Sequence, residues 1–216
     1  MIKTMLDIIG KEFPVTEASV GEFRNLSVGP MNFEVSKYIA EGLGAISVME
    51  ASGMGGAFSM ITFIVNPLHK DAPLFSHDRM NAPDGSDTCF LELYDTTLGG
   101  FDVSPITAVA EAAGDELECP VMPNWYDDIR YRENRCKKGT AENKEQFDKL
   151  TADFLEAYIA AAKAAPDCDP AEKQPKNEYY SETLLEKGGP AADGFIQTYG
   201  KEKTGEFFRT VLFANE

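Results

Sequence analysis

The chain has 216 residues, 43% of them hydrophobic and 11% aromatic, so it can bury one sizeable core, and we expect a single domain over residues 1–216. Asp and Glu number 36 against 20 Lys and Arg, and the formal net charge of −16 argues against nucleic acid and anionic membrane surfaces as partners. No run approaches the roughly 18 apolar residues of a membrane helix, and Asp7 interrupts the apolar start, so we expect a cytoplasmic protein.

The N-terminal half is predicted to form one helix and then strands. Apolar residues at three- and four-residue intervals from Ile2 to Phe13 predict a short amphipathic helix, which Pro14 stops. Four strand-like runs follow: MNFEVSKYIA, AISVME, AFSMITFIVN and DTCFLELYD. Strands joined by short glycine turns pair antiparallel, because a parallel crossover needs about a dozen residues or more. The sequence therefore predicts an antiparallel meander.

The C-terminal half is predicted to be mainly helical. A short helix in SPITAVAEAAG precedes an irregular stretch that holds Trp125 and a cluster of basic residues. The spacing of apolar residues from Phe147 to Ile159 predicts a longer helix, ended by Pro166. The segment PDCDPAEKQPKNEYY is predicted to be a polar loop, with two more helical segments after it. Helices before and after the strands predict an α/β fold, a three-layer α/β/α sandwich with a central, mainly antiparallel sheet.

The four cysteines do not form a recognisable metal or redox motif. Cys89, Cys119, Cys136 and Cys168 are widely spaced and include no C-x-x-C pair. This spacing argues against a zinc knuckle, an iron–sulfur cluster or a thioredoxin-type dithiol. We therefore expect reduced, structural cysteines.

Candidate chemistry concentrates in one short segment, which contains both histidines of the chain. His69, Asp71, His77 and Asp78 offer nitrogen and oxygen ligands for a metal, but no H-E-x-x-H or similar ligand spacing supports such a site. Asp78 can instead be a buried acid, whose pKa an apolar pocket would raise into the range of a proton donor. It can also be an exposed turn carboxylate. The residues alone leave these interpretations open.

Three blocks of the sequence resemble one protein family. In FIVNPLHKDAPLFSHD, the positions Pro67, Asp71, Pro73, Phe75 and Asp78 follow an apolar strand and fill the pattern D-x-P-x-F-x-x-acid. MPNWYDDIR and the C-terminal YGKEKTGEFFRTVLF match two further blocks in the same order. The chain thus resembles the ferredoxin-dependent bilin reductases and red chlorophyll catabolite reductase.

The resemblance implies reduction of an open-chain tetrapyrrole bound between the sheet and the C-terminal helices. It implies no intrinsic metal or organic cofactor; electrons would arrive singly from reduced ferredoxin, flavodoxin or a similar donor. The family's acid at the end of the D-x-P-x-F segment falls on Asp78, which becomes the predicted catalytic proton donor.

The resemblance also implies substrate-binding positions around Asp78. Thr62 stands near the position where one relative has a histidine partner for the acid, and Asp193 lies near the position of a second acid in many relatives. Arg130, Arg132 and Arg135 are candidates to clamp the propionates of a bilin, or to offer an acidic ferredoxin a positive face.

His77 is a lesser candidate for the substrate site. In an extended segment it would face the side opposite to Asp78, and it can also be a simple surface imidazole.

Two other functions stay open for the whole chain. One is a tetrapyrrole-binding protein of the same fold without catalysis, since two proton positions differ from the family. The other is a metal-dependent hydrolase built on His69, Asp71, His77 and Asp78.

Overall fold

The computed structural model describes residues 1–214, except for the side chains of residues 190 and 191. Eight strands form one sheet: β1 Val15–Ala18, β2 Asn25–Val28, β3 Met31–Ala40, β4 Gly44–Gly53, β5 Phe58–Pro67, β6 Leu74–Asn81, β7 Ser86–Tyr94 and β8 Arg135–Thr140. The strand order is β1-β3-β4-β5-β6-β7-β8, with β2 paired to β3 beside β1. Every pairing between these strands is antiparallel. The predicted meander is thereby confirmed.

Within residues 1–214, five α-helices accompany the sheet: α1 Ile2–Gly10, α2 Ser104–Ala112, α3 Lys144–Ala164, α4 Pro170–Lys187 and α5 Pro190–Phe207. A short π-helical segment, Phe208–Leu212, continues from α5. The helices predicted at the N-terminus, in SPITAVAEAAG and from Phe147 onward are all present. None of the helices within residues 1–214 is both long and apolar enough to cross a membrane.

The prediction of a polar loop after Pro166 is wrong, because most of that segment is the start of α4. The Asp169 side chain caps this helix by accepting a hydrogen bond from the Ala171 amide, and Pro170 occupies the first turn, where a proline is tolerated. Lys173 and Asn177 are fully buried and one turn apart. Their polar side chains concealed the buried face of the helix from a search for apolar periodicity.

The two faces of the sheet belong to two hydrophobic clusters. Phe63 and Val65 of β5 pack in one cluster with residues of α1, α2 and α3. Ile64, between them, packs in the other cluster with residues of α4, α5 and the π-helical segment. Side chains alternate between the faces of a strand, so each of the strands β3 to β7 supplies both clusters. The α/β class with a mainly antiparallel sheet is confirmed.

Two of the cysteines form a disulfide bond. Cys119 and Cys136 are joined, with Cα atoms 5.5 Å apart, whereas Cys89 and Cys168 are free thiols. The segment before Trp125 lies beside β8, and the Cys119 amide donates a hydrogen bond to the Cys136 carbonyl oxygen at 2.8 Å. The expectation of reduced cysteines is therefore wrong for this pair, because backbone pairing between distant segments brings them together.

Candidate active site

An apolar cavity of about 490 Å³ lies between the sheet and the C-terminal helices. Most of its lining is aliphatic, aromatic or methionine side chains from β3 to β6, α4, α5 and the π-helical segment. The exceptions that carry polar groups are Thr62, Ser76, Asp78 and Tyr180. Such a volume, with a few convergent polar groups in an apolar wall, is typical of a small-molecule site.

The strand alternation of β6 directs Asp78 into this cavity. Leu74, Ser76 and Asp78 line the cavity, while Phe75 packs in the cluster on the other face. Asp78 is the register partner of Thr62 on β5, so the two side chains stand side by side on the cavity face. A one-residue slip of this pairing would place the two side chains on opposite faces of the sheet.

The environment of Asp78 favours the protonated carboxyl. The pKa of Asp78 is raised to about 6: burial is the main cause and the nearby Glu92 adds to it, while hydrogen bonds from Thr62 and Ser76 oppose the shift. Thr62 Oγ1 donates to Asp78 Oδ1 at 2.5 Å. The carboxyl is partly accessible, and it lines the cavity. Asp78 thus presents, inside an apolar site, a carboxyl whose pKa lies close enough to neutral pH for the group to release a proton there.

His77 lies on the opposite face of the sheet and does not line the cavity. Its ring is fully buried, with Nδ1 2.9 Å from the Phe90 carbonyl oxygen and without a partner for Nε2. Burial lowers the pKa of His77 to about 4, so the ring is neutral at physiological pH. The interpretation as a surface imidazole is wrong, and its position gives no route to a ligand in the cavity, because strand alternation separates it from Asp78.

The three candidate arginines also stand away from the cavity lining. Arg130 donates to Glu92 Oε1 at 2.9 Å, and Arg132, which is exposed, donates to Glu133 Oε1 at 2.9 Å. Arg135 donates to backbone carbonyl oxygens, among them that of Ala110. These guanidinium groups are already engaged within the protein. The structure does not bring them together as a clamp on a ligand in the cavity.

Of the two remaining candidates, one lines the site and one does not. Thr62 lines the cavity and contacts Asp78 directly. Asp193 is an exposed residue in the first turn of α5, and its neighbour Gly194 lines the cavity instead. Asp193 is therefore poorly placed to act as a second acid.

The proposed metal ligands do not assemble. His69 is exposed, and Asp71 accepts hydrogen bonds from the amides of Leu98 at 2.7 Å and Gly99 at 2.8 Å. His77 and Asp78 face opposite sides of the sheet. Within residues 1–214, no group of three or more His, Cys, Asp or Glu side chains is arranged to hold a metal ion. The hydrolase alternative has no site in this part of the chain.

Sequence reasoning missed a polar group beside the cavity. Tyr94 Oη donates to Glu92 Oε2 at 2.8 Å, and the Tyr94 ring lies 4.6 Å from the ring of the cavity residue Tyr180, centroid to centroid. The alternation in FLELY placed Glu92 and Tyr94 on one face of the strand. The sequence alone does not say which face of the sheet these two residues share with the cavity.

The fold and the cavity define this molecule as an α/β domain in which a carboxyl faces an apolar cavity. No protein-family model matches the sequence, and no curated protein matches it. Among solved structures, it is similar to phytochromobilin synthase from tomato, crystallised in complex with biliverdin, with a TM-score of 0.77 and 12% sequence identity. The match covers 99% of this chain and 82% of that chain. The resemblance to bilin reductases is thus confirmed at the level of the fold.

Proposed function

We propose that this protein binds an open-chain tetrapyrrole in the cavity and reduces it, with Asp78 as the proton donor. The observation that carries the proposal is a carboxyl with a pKa of about 6 in an apolar cavity. Its fold is shared with a protein crystallised with biliverdin. Electrons come from reduced ferredoxin, flavodoxin or a similar one-electron donor, as the resemblance of the sequence blocks implies.

The chemistry requires a proton donor in the cavity. A tetrapyrrole that gains an electron in an apolar site would carry an uncompensated negative charge, which is costly there. A neutral Asp78 supplies the proton, and the charge passes to its carboxylate. Thr62 and Ser76 then donate hydrogen bonds to that carboxylate, which makes the product state less unfavourable. We place the ligand in the middle of a three-layer α/β/α arrangement, against the sheet and under the C-terminal helices.

One observation favours a second function, tetrapyrrole binding without reduction. Thr62 occupies the position next to Asp78 where a relative carries a titratable histidine, and a threonine cannot supply a second proton. In that case Asp78 would serve as a hydrogen-bond partner for the pyrrole nitrogens, and the bound ligand would stay chemically unchanged.

Absorption spectroscopy with biliverdin tests both functions. The purified protein is titrated anaerobically with biliverdin, and then ferredoxin, ferredoxin reductase and NADPH are added. We expect a perturbed spectrum on binding and stepwise bleaching or shifts on reduction. Asp78→Asn should bind biliverdin and lose the later steps, whereas Asp193→Asn, an exposed acid outside the cavity lining, should behave as the wild type.

The outcomes separate the alternatives. A bound spectrum that stays unchanged with the reducing system would favour the binding protein. No spectral perturbation by biliverdin or related bilins would rule out both functions for those ligands. Reduction that proceeds at the wild-type rate in Asp78→Asn would remove Asp78 from the role of donor.

A further inference from the structure

A second buried carboxyl, Glu92, stands beside the cavity acid. Ser76 of β6 pairs with Glu92 of β7, and Asp78 pairs with Phe90. Register partners share a face, and so do alternate residues of a strand, so Ser76, Asp78 and Glu92 project from the same side of the sheet. In this arrangement Ser76 is the neighbour of both carboxyls. Its hydroxyl donates to Asp78.

Glu92 lies between the side chains of Ser76 and Asp78 and the surface of the protein. It is 9% exposed and accepts hydrogen bonds from Tyr94 and Arg130. Arg130 also donates to Asp127, whose side chain is 42% exposed, at 3.3 Å. Glu92 therefore lies at the boundary between the interior and the solvent, where water can exchange a proton with it. Asp78 lines the cavity, where a ligand would cover it.

The reduction of one double bond needs more protons than one carboxyl holds. Two electrons and two protons complete the step, and Asp78 can deliver only one proton before it must be protonated again. A ligand that fills an apolar cavity also excludes the water that would otherwise do this. A protein route to Asp78 is then required.

We propose that Glu92 is the residue that reprotonates Asp78 through the hydroxyl of Ser76. Glu92 takes up a proton from the solvent and passes it to Ser76 Oγ, while Ser76 gives its own hydroxyl proton to the Asp78 carboxylate; Glu92 then returns to the carboxylate that pairs with Arg130. The number of protons is conserved at each step, and no electron moves along this route. The inference rests on the proposed function, since only reduction consumes the delivered protons.

The surrounding charges are consistent with a shared proton. Burial raises the pKa of Glu92, while the hydrogen bond from Tyr94 and the charge of Arg130 oppose that shift. Tyr180 of α4 and Tyr126 of the Trp125–Ile129 turn also face this group, and burial raises the pKa of both, so they stay neutral at physiological pH. Asp127 adds a negative charge from the same turn. The charge of Glu92 disfavours ionisation of Asp78, and a carboxyl whose proton affinity depends on its neighbour is suited to exchange a proton with it.

The first test uses the protein without any ligand. The carboxyl titration of Asp78 is followed by isotope-edited infrared spectroscopy in the wild type and in Glu92→Gln, with Asp78→Asn to assign the signal. We expect the Asp78 midpoint to fall in Glu92→Gln, because the neighbouring negative charge is removed. An unchanged midpoint would show that the two groups are not coupled and would overturn the relay.

The second test measures proton delivery in biliverdin reduction. Ser76→Ala keeps Glu92 and its ion pair with Arg130, and we expect it to bind biliverdin but to slow the second protonation by about tenfold or more. Ser76→Thr, which retains a hydroxyl, should restore most of the rate. If Ser76→Ala and Glu92→Gln both reduce biliverdin at the wild-type rate with an unchanged pH profile, the relay is wrong and the proposed function stands. If biliverdin is not bound at all, the proposed function fails and the relay fails with it, even where the two carboxyls titrate together.

Discussion

Thr62 Oγ1 donates a hydrogen bond to Asp78 Oδ1 at 2.5 Å, across a register pair of β5 and β6. The bond stabilises the ionised carboxylate and opposes the effect of burial on the pKa of Asp78. Thr62 therefore tunes how readily Asp78 releases its proton, although it cannot itself supply one.

Replacing Thr62 with valine should raise the pKa of Asp78 above its value of about 6 by roughly 1 to 2 pH units, because a hydrogen bond to a charged group contributes about 1.5–3 kcal/mol. Infrared titration of the carboxyl measures the midpoint directly. Thr62→Ser, which keeps the hydroxyl, is the matched control. A midpoint that stays in place or falls in Thr62→Val would show that the hydrogen bond does not control the ionisation.

Because the pKa of Asp78 is raised in the folded protein, ionisation of its carboxyl destabilises the folded state at neutral pH. Its pKa is about 6 in the folded protein against an ordinary value of 3.8, so the folded state holds the proton more tightly. This contribution to stability is present below about pH 4 and is lost as the pH rises toward 6 and above. Asp78→Asn should therefore increase the free energy of unfolding at pH 7.5 by up to about 3 kcal/mol.

Urea denaturation of wild type and Asp78→Asn at pH 7.5 and at pH 4 checks this expectation. The gain in stability should be clear at pH 7.5 and small at pH 4, where the wild-type carboxyl is protonated in the folded state. An equal gain at both values would mean that the substitution acts through packing and not through charge.

Lys173 should be important for stability in spite of its polar character. Its ammonium group donates to the carbonyl oxygens of Ala72 at 2.8 Å and Thr96 at 2.6 Å, and it lies 3.7 Å from Asp71. Lys173→Met would leave these groups without their cation, and we expect a loss of about 3–5 kcal/mol in the free energy of unfolding. Lys176→Met, at an exposed position of the same helix, should change stability by less than about 0.5 kcal/mol. Thermal and urea unfolding of the two variants provide the comparison, and similar losses in both would contradict the structural role of Lys173.

The disulfide between Cys119 and Cys136 should stabilise the folded chain. The two cysteines are 17 positions apart in the sequence. By constraining the unfolded chain, a disulfide that closes such a loop contributes about 3 kcal/mol to the free energy of unfolding. Cys119→Ser with Cys136→Ser should lower the free energy of unfolding by about 2–4 kcal/mol, whereas Cys168→Ser, at a free thiol, should change it little. Thiol counting under denaturing conditions checks the bond itself; four reactive thiols in the untreated protein would contradict it.

Local features of the chain determined much of the architecture. The short glycine turns between apolar runs left antiparallel pairing as the only arrangement, and β3 to β7 follow it. The 3.6-residue period from Phe147 to Ile159 located α3, whose buried side chains include both of these residues. The pattern that ends at Asp78 pointed to an acid, and strand alternation predicted that His77 would face away from it. Each of these inferences depends on residues close together in the sequence.

Contacts between distant segments decided the rest. The buried face of α4 depends on carbonyl groups of the loops that Lys173 and Asn177 reach, and polar residues carry no apolar period by which to recognise it. Arg130 is a candidate for ligand binding in the sequence because its carboxylate partner Glu92 lies 38 positions away in the chain. The position of Glu92 beside Asp78 likewise follows from the register of β6 and β7. Sequence determined which residues could carry a charge or a proton, and only the tertiary structure decided which of them meet, because register and burial arise from packing across the whole sheet.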